Sequence, residues 1–198
     1  MRAGPGGISG TLAAVNDTNG NPGKQHLAIA AIGADRTGMV HELTRVISEC
    51  GGNLAESRMA TLGSEFAMLM LVTGNWHTLA RLESELGRLA AASAITLQLR
   101  RTEPRGVRRD QLPYSVDIVS LDQTGIVAGL SGFFAARGID IGEVATRSYA
   151  AAHTGAPMFA VQMTLNVPAR LHVAQLREEF MDYCDSMNLD AILEPVKS

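Results

Sequence analysis

A nine-residue motif occurs twice in this chain. Ile32-Gly-Ala-Asp-Arg-Thr-Gly-Met-Val40 returns 87 residues later as Val119-Ser-Leu-Asp-Gln-Thr-Gly-Ile-Val127, and self-similarity at that distance means that one folding unit is used twice. The register persists downstream. Met39, Val40, Leu43, Val46, Ile47 and Cys50 follow the first copy, and Ile126, Val127, Leu130, Phe133 and Phe134 the second; spacings of three and four place each set on one helical stripe. Each helix is expected to stop at a glycine, Gly51 or Gly138, which tolerates the left-handed conformation that ends helices.

The remaining segments complete the same order in both halves. Leu27–Ile32 and Tyr114–Leu121 read as opening strands; Asn53-Leu54 and Asp140-Ile141 open second strands; Phe66–Thr73 and Met158–Val167 read as third strands. The second hairpin carries about six extra residues around Ala151–Pro157, an insertion that a surface turn accepts at small entropic cost. Second helices follow on stripes Leu79, Leu82, Leu86, Leu89 and Val173, Leu176, Phe180, Tyr183, Met187, and Ile95–Leu99 and Leu189–Leu193 close the units. The order β-α-β-β-α-β in each half predicts an α+β protein of two tandem ferredoxin-like domains, each a four-stranded antiparallel sheet with two helices on one face. The expected bounds are a flexible Gly- and Pro-bearing leader at 1–25, a first domain at 26–101, a linker at 102–112 and a second domain at 113–198.

Composition removes several function classes. The longest apolar run, Phe66–Val72, is far below the roughly 18 residues of a membrane-spanning helix. The N-terminus lacks the apolar core of a secretory signal, so a cytoplasmic protein is expected. Cys50 and Cys184 form neither a disulfide framework nor a metal-ligand spacing and read as core or surface thiols. The net charge of −3 gives no general attraction for nucleic acid. Locally, Arg100, Arg101, Arg105, Arg108 and Arg109 crowd the junction with Glu103, where Pro104, Gly106 and Pro113 are expected to break any regular element; they read as a solvated linker, or else as a patch for an acidic partner.

The element with chemical potential is Asp-x-Thr-Gly between strand one and helix one: Asp35, Thr37, Gly38, and again Asp122, Thr124, Gly125. One reading is structural, with Asp or Thr capping the helix and Gly permitting close packing. The other is binding. Free N–H groups and the positive end of the helix dipole attract a carboxylate, Gly38 lets a ligand approach the backbone, Asn53 offers amide donors and a carbonyl, and Asp35 answers an ammonium group. Such a set suits a small α-amino acid. Five non-hydrogen atoms limit glycine to about 7.5 kcal/mol, or micromolar affinity at best, the range of a sensor of pools.

The stretches Gln25–Val40, Glu49–Arg58, Met59–Phe66 and Val72–Trp76 resemble the glycine cleavage system transcriptional repressor family, over about residues 25–196. That family consists of two tandem ACT domains, βαββαβ modules that commonly bind amino acids and regulate another molecule. The resemblance implies a non-enzymatic regulator, a ligand such as glycine or serine near the strand-one to helix-one loop, no cofactor, and repression through contact with a DNA-binding regulator. It carries Asp35, Arg36, Thr37, Gly38, Met39 and Asn53 as first-site residues, with Asp122, Thr124, Gly125 and Asp140 as a weaker second set. Gln123 stands where the first copy has Arg36, and Asp140 where it has Asn53, an extra acid that disfavours a ligand carboxylate.

Three alternatives compete. An enzyme finds no support in a nucleophile elbow, P-loop or H-E-x-x-H, none of which occurs; the five histidines, His26, His41, His77, His153 and His172, never pair at i and i+4. An RNA-recognition module shares the element order but needs stacking aromatics on its inner strands, where Phe66 and Phe159 stand nearly alone. A ligand-free interaction scaffold is the third. No zinc-finger or helix-turn-helix pattern is present. Met59, Met68 and Met70 read as core, and Trp76 as packing at a helix start. Open sheet edges invite pairing, so a homodimer is expected.

Overall fold

The computed structural model describes residues 24–104, 106 and 110–196; the leader up to residue 23 and Arg105, Arg108 and Arg109 lie outside them. The elements run β1 (Gln25–Ala34), α1 (Met39–Glu49), β2 (Asn53–Leu62), β3 (Glu65–Gly74), α2 (Trp76–Ala92) and β4 (Ile95–Thr102), then β5 (Gln111–Leu121), α3 (Ile126–Ala135), β6 (Asp140–Ala150), β7 (Pro157–Pro168), α4 (Val173–Ser186) and β8 (Asp190–Pro195). They divide into two compact units, with the division after Arg105.

In the first unit the strand order is β2-β3-β1-β4, and in the second β6-β7-β5-β8, all pairs antiparallel. This is the α+β ferredoxin-like arrangement in tandem. Period-two alternation along β1 sends Leu27, Ile29 and Ala31 under the helices, and β3 contributes Met68, Met70 and Val72 to the same core. Leu43, Ile47, Leu79, Leu82 and Leu86 close over it from α1 and α2. The second core is built alike, around Val116, Ile118, Val161, Leu165, Phe134 and Phe180. Cys184 joins the α4 stripe, fully buried, and both cysteines are free thiols inside their units.

Both α1 and α3 end as the glycines dictate: Gly51 has φ 81° and Gly138 φ 65°. The inserted turn of the second unit spans 151–156, whereas β2 and β3 are joined by Gly63 and Ser64 alone.

Three expectations need correction. Arg100 and Arg101 are strand residues of β4, Arg101 being clamped by Glu83 of α2 at 2.6 and 2.9 Å and by Gln25 at 2.8 Å. Pro113 does not break the chain into loop. It sits inside β5, beyond the stretch that β8 pairs, where a missing N–H costs no ladder bond to that strand. Trp76 does not pack at the helix start: it is 60% exposed, its ring edge-on to His77, and α2 is instead capped by Asn75, whose side chain accepts from the Thr78 N–H at 2.8 Å.

Candidate functional site

The β1–α1 loop begins where β1 leaves the sheet. The Asp35 N–H donates to the Ser64 carbonyl at 2.9 Å, and Thr61 Oγ1 reaches the Asp35 carboxylate at 3.4 Å, so the β2–β3 turn fixes the loop's first residue. Gly38 is the N-cap of α1 at φ 93°. This left-handed conformation selects glycine there; a Cβ at Gly38 would meet nothing within 4 Å, so the requirement is conformational and the space beyond is open. Close packing falls instead to Gly33, near the end of β1. A Cβ there would lie 3.0 Å from the Ala94 carbonyl and 3.2 Å from Met39 Cε.

Capping by Asp35 or Thr37 does not occur: no side chain accepts from the first amides of α1, and the same holds at Gly125 (φ 89°) for α3. Both openings keep N–H groups that no side chain takes up at the positive helix end, the Met39 N–H reaching only the Arg36 carbonyl, at 3.4 Å. In the first unit they border a concavity of about 390 Å³ lined by Asp35, Arg36, Gly38, Val40, His41 and Phe66, within the range of small-molecule sites. Met39 forms part of its wall while being only 1% exposed; it is a core residue that shapes the floor.

Arg36 is already engaged. Its guanidinium grips Glu42 with both nitrogens, at 2.7 and 2.6 Å, a forked ion pair that raises the Arg36 pKa and holds the Glu42 carboxyl below its ordinary range. A ligand carboxylate meeting Arg36 must compete with Glu42. The second unit has no counterpart, because Gln123 donates instead to the Met187 carbonyl at 3.0 Å and Gly129 occupies the position equivalent to Glu42. Asp122 is placed like Asp35, its N–H donating to the Pro157 carbonyl at 2.9 Å, with Thr124 exposed beside it.

Asn53 is not brought to this loop. It opens β2 opposite Thr73, while Ala34 and Leu62 flank Glu65 at the other end of β3; eight residues at about 3.3 Å each separate the ends by roughly 26 Å. Asp140 is related to Asp122 in the same way, paired with Asn166 while Leu121 faces Met158, and it accepts from Gln111 at 3.4 Å. One small ligand cannot touch both ends of a unit. The residues that sequence reasoning missed are Glu42, Gly33 and Phe66. Glu42 was legible as an acid three residues into the helix, in reach of Arg36.

Among the described residues no group of three or more His, Cys, Asp or Glu is placed to hold a metal ion, and no helix is long and apolar enough to cross a membrane.

Comparison with known proteins places this geometry in a family. Residues 25–100 match the ACT domain. The glycine cleavage system transcriptional repressors of Escherichia coli K12 and of Shigella flexneri are each 31% identical over 175 residues, 87% of this chain and 91% of theirs. Among solved structures, one assigned provisionally to the same repressor is 28% identical with a TM-score of 0.66. An uncharacterised protein from Galdieria sulphuraria is 26% identical with a TM-score of 0.71. Each covers 88% of this chain and 99% of its own. The chain therefore belongs to the family of glycine cleavage system transcriptional repressors, proteins of two tandem ACT domains.

Proposed function

We propose that this protein is a non-enzymatic regulator that binds a small amino acid, glycine or serine, on the β1–α1 loop of its first unit and represses the glycine cleavage system through contact with a DNA-binding regulator. The observation that carries the reading is the amino end of α1: its amides are capped by no side chain and border an open concavity of about 390 Å³. The loop supplies opposite charges for a zwitterion. Backbone N–H groups of the α1 opening take the carboxylate, that of Met39 giving up its 3.4 Å contact with the Arg36 carbonyl, and Asp35, fixed through Ser64 and Thr61, takes the ammonium group. Arg36 and Thr37 flank the carboxylate side. Asn53 stands apart, so its substitution leaves glycine binding unchanged. The weaker loop at Asp122, Thr124 and Gly125 lacks an arginine, and Asp140 stays outside it.

Action through a partner accords with an element order in which no two helices are consecutive, leaving no helix-turn-helix among the described residues. Direct RNA binding is disfavoured because Phe66 and Phe159 pack against the helix-side cores, so β1, β3, β5 and β7 present no aromatic ring on their open faces for base stacking. The protein acts in the cytoplasm and as a homodimer. A calorimetric screen of the twenty amino acids tests the reading: glycine or serine is expected to bind at micromolar to millimolar concentration, Asp35→Ala to abolish the heat and Asn53→Ala to preserve it. Silence from all twenty would leave a ligand-free scaffold as the better account.

A further inference from the structure

The face of the first sheet turned away from the helices is apolar at its centre. Ala28, Ala30 and Ile32 of β1 lie beside Leu71, Leu69 and Ala67 of β3; Leu69 is 59% and Ile32 46% exposed, over a trough of about 630 Å³. The second sheet differs at the same place. Asp117 occupies its centre, accepting from Gln162 Nε2 at 3.0 Å, and an acid there is costly to desolvate.

Strand register arranges the first face in rows. Glu56, Leu71, Ala28 and Arg100 form one; Arg58, Leu69, Ala30 and Gln98 the next; Ala60, Ala67, Ile32 and Thr96 the third. A two-fold axis parallel to the strands, between two such faces, lays β3 of one copy over β1 of the other and β2 over β4. Every row is then self-complementary. In these rows Leu71 meets Ala28, Leu69 meets Ala30, and Ala67 meets Ile32, large side chain on small, as interdigitating sheet faces about 10 Å apart require. At the rim each Glu56 faces Arg100 of the other copy, twice per dimer. An axis perpendicular to the strands would oppose Leu69 to Leu69 and Arg58 to Arg58.

We infer that the open face of the first sheet is a two-fold interface with a second copy of this chain, in which Leu69 and Leu71 seat on Ala30 and Ala28 and Glu56 pairs with Arg100. This deepens the homodimer reading above and rests on it. Four strands about 4.8 Å apart and rows spanning roughly 20 Å cover about 400 Å² per copy, below the roughly 1,200 Å² total of stable interfaces. The dimer is accordingly weak and concentration-dependent. Glu56 also lies 3.5 Å from Arg58 on its own strand, an exposed pair that contributes little.

Analytical ultracentrifugation of the full chain from about 1 to 200 µM tests this by mass action. The wild type is expected to move from 21.0 kDa toward about twice that mass. Leu69→Glu, E56R and R100E should each weaken association at least tenfold, and E56R/R100E should restore it to within about threefold of wild type. Val119→Glu on the second sheet should change nothing, and circular dichroism verifies that every variant is folded. Association of Leu69→Glu as tight as wild type would place the dimer on another surface and overturn this interface while sparing the homodimer. Single reversals that weaken association without rescue by the double variant would overturn the axis. A wild type that stays at 21.0 kDa throughout would overturn both readings.

Discussion

Two glycines show how differently the same residue constrains this chain. Gly38 is required by its φ of 93° with nothing within 4 Å of a would-be Cβ, so Gly38→Ala should cost about 1 to 2 kcal/mol by backbone strain alone. At Gly52 a Cβ would sit 2.9 Å from Val72 Cγ1 and 3.1 Å from the Ile47 carbonyl, so Gly52→Ala should cost about 1 to 3 kcal/mol by overpacking. Urea unfolding measures both, and only Gly38→Ala should also alter ligand binding. Glu42 is the residue that competes with a ligand for Arg36, through contacts of 2.6 and 2.7 Å. Glu42→Gln should therefore strengthen amino-acid binding about three- to tenfold, read by calorimetry; weaker binding would mean that the pair positions the loop instead.

At the scale of elements, α2 is fastened to β4 by Glu83 and Arg101. The Arg101 guanidinium holds the Glu83 carboxyl below its ordinary value of 4.5. Because the folded-state value is the lower one, the stabilisation is complete above the unfolded value and disappears as pH falls through the folded one. Melting curves of wild type and Glu83→Gln should differ by no more than about 1 kcal/mol at pH 7, both partners being about one-third exposed, and converge as the pH falls through the lowered Glu83 value. The elements themselves were legible because helix stripes of period near four and the duplicated motif point the same way. The two faces of β3 were not, since Phe66–Val72 is apolar on both sides and only the register separates Met68 and Met70, inside, from Leu69 and Leu71, outside. The candidate site was half legible. Asp35 to Gly38 follow from the motif, but an antiparallel helix returns the chain to the far end of the sheet, which is why Asn53 opens β2 away from them.

Over the whole molecule, duplication has preserved the scaffold while letting the surfaces diverge. Arg36 and Glu42 have no paired counterpart at Gln123 and Gly129, and an apolar open face in one unit corresponds to Asp117 and Gln162 in the other. The cores are conventional: both thiols are sequestered, and burial pushes Cys184 up to about 11. At pH 7.5 neither cysteine should react with a thiol reagent until the protein is unfolded, as an absorbance assay with and without denaturant will record. A small amino acid held at the first unit's helix opening would perturb the amides around it. Titration of glycine into isotopically labelled protein, followed by amide NMR, should shift the signals of Arg36, Thr37, Gly38 and Met39 while those around Asn53 stay in place. Shifts confined to other regions, or none at millimolar glycine and serine, would contradict binding there.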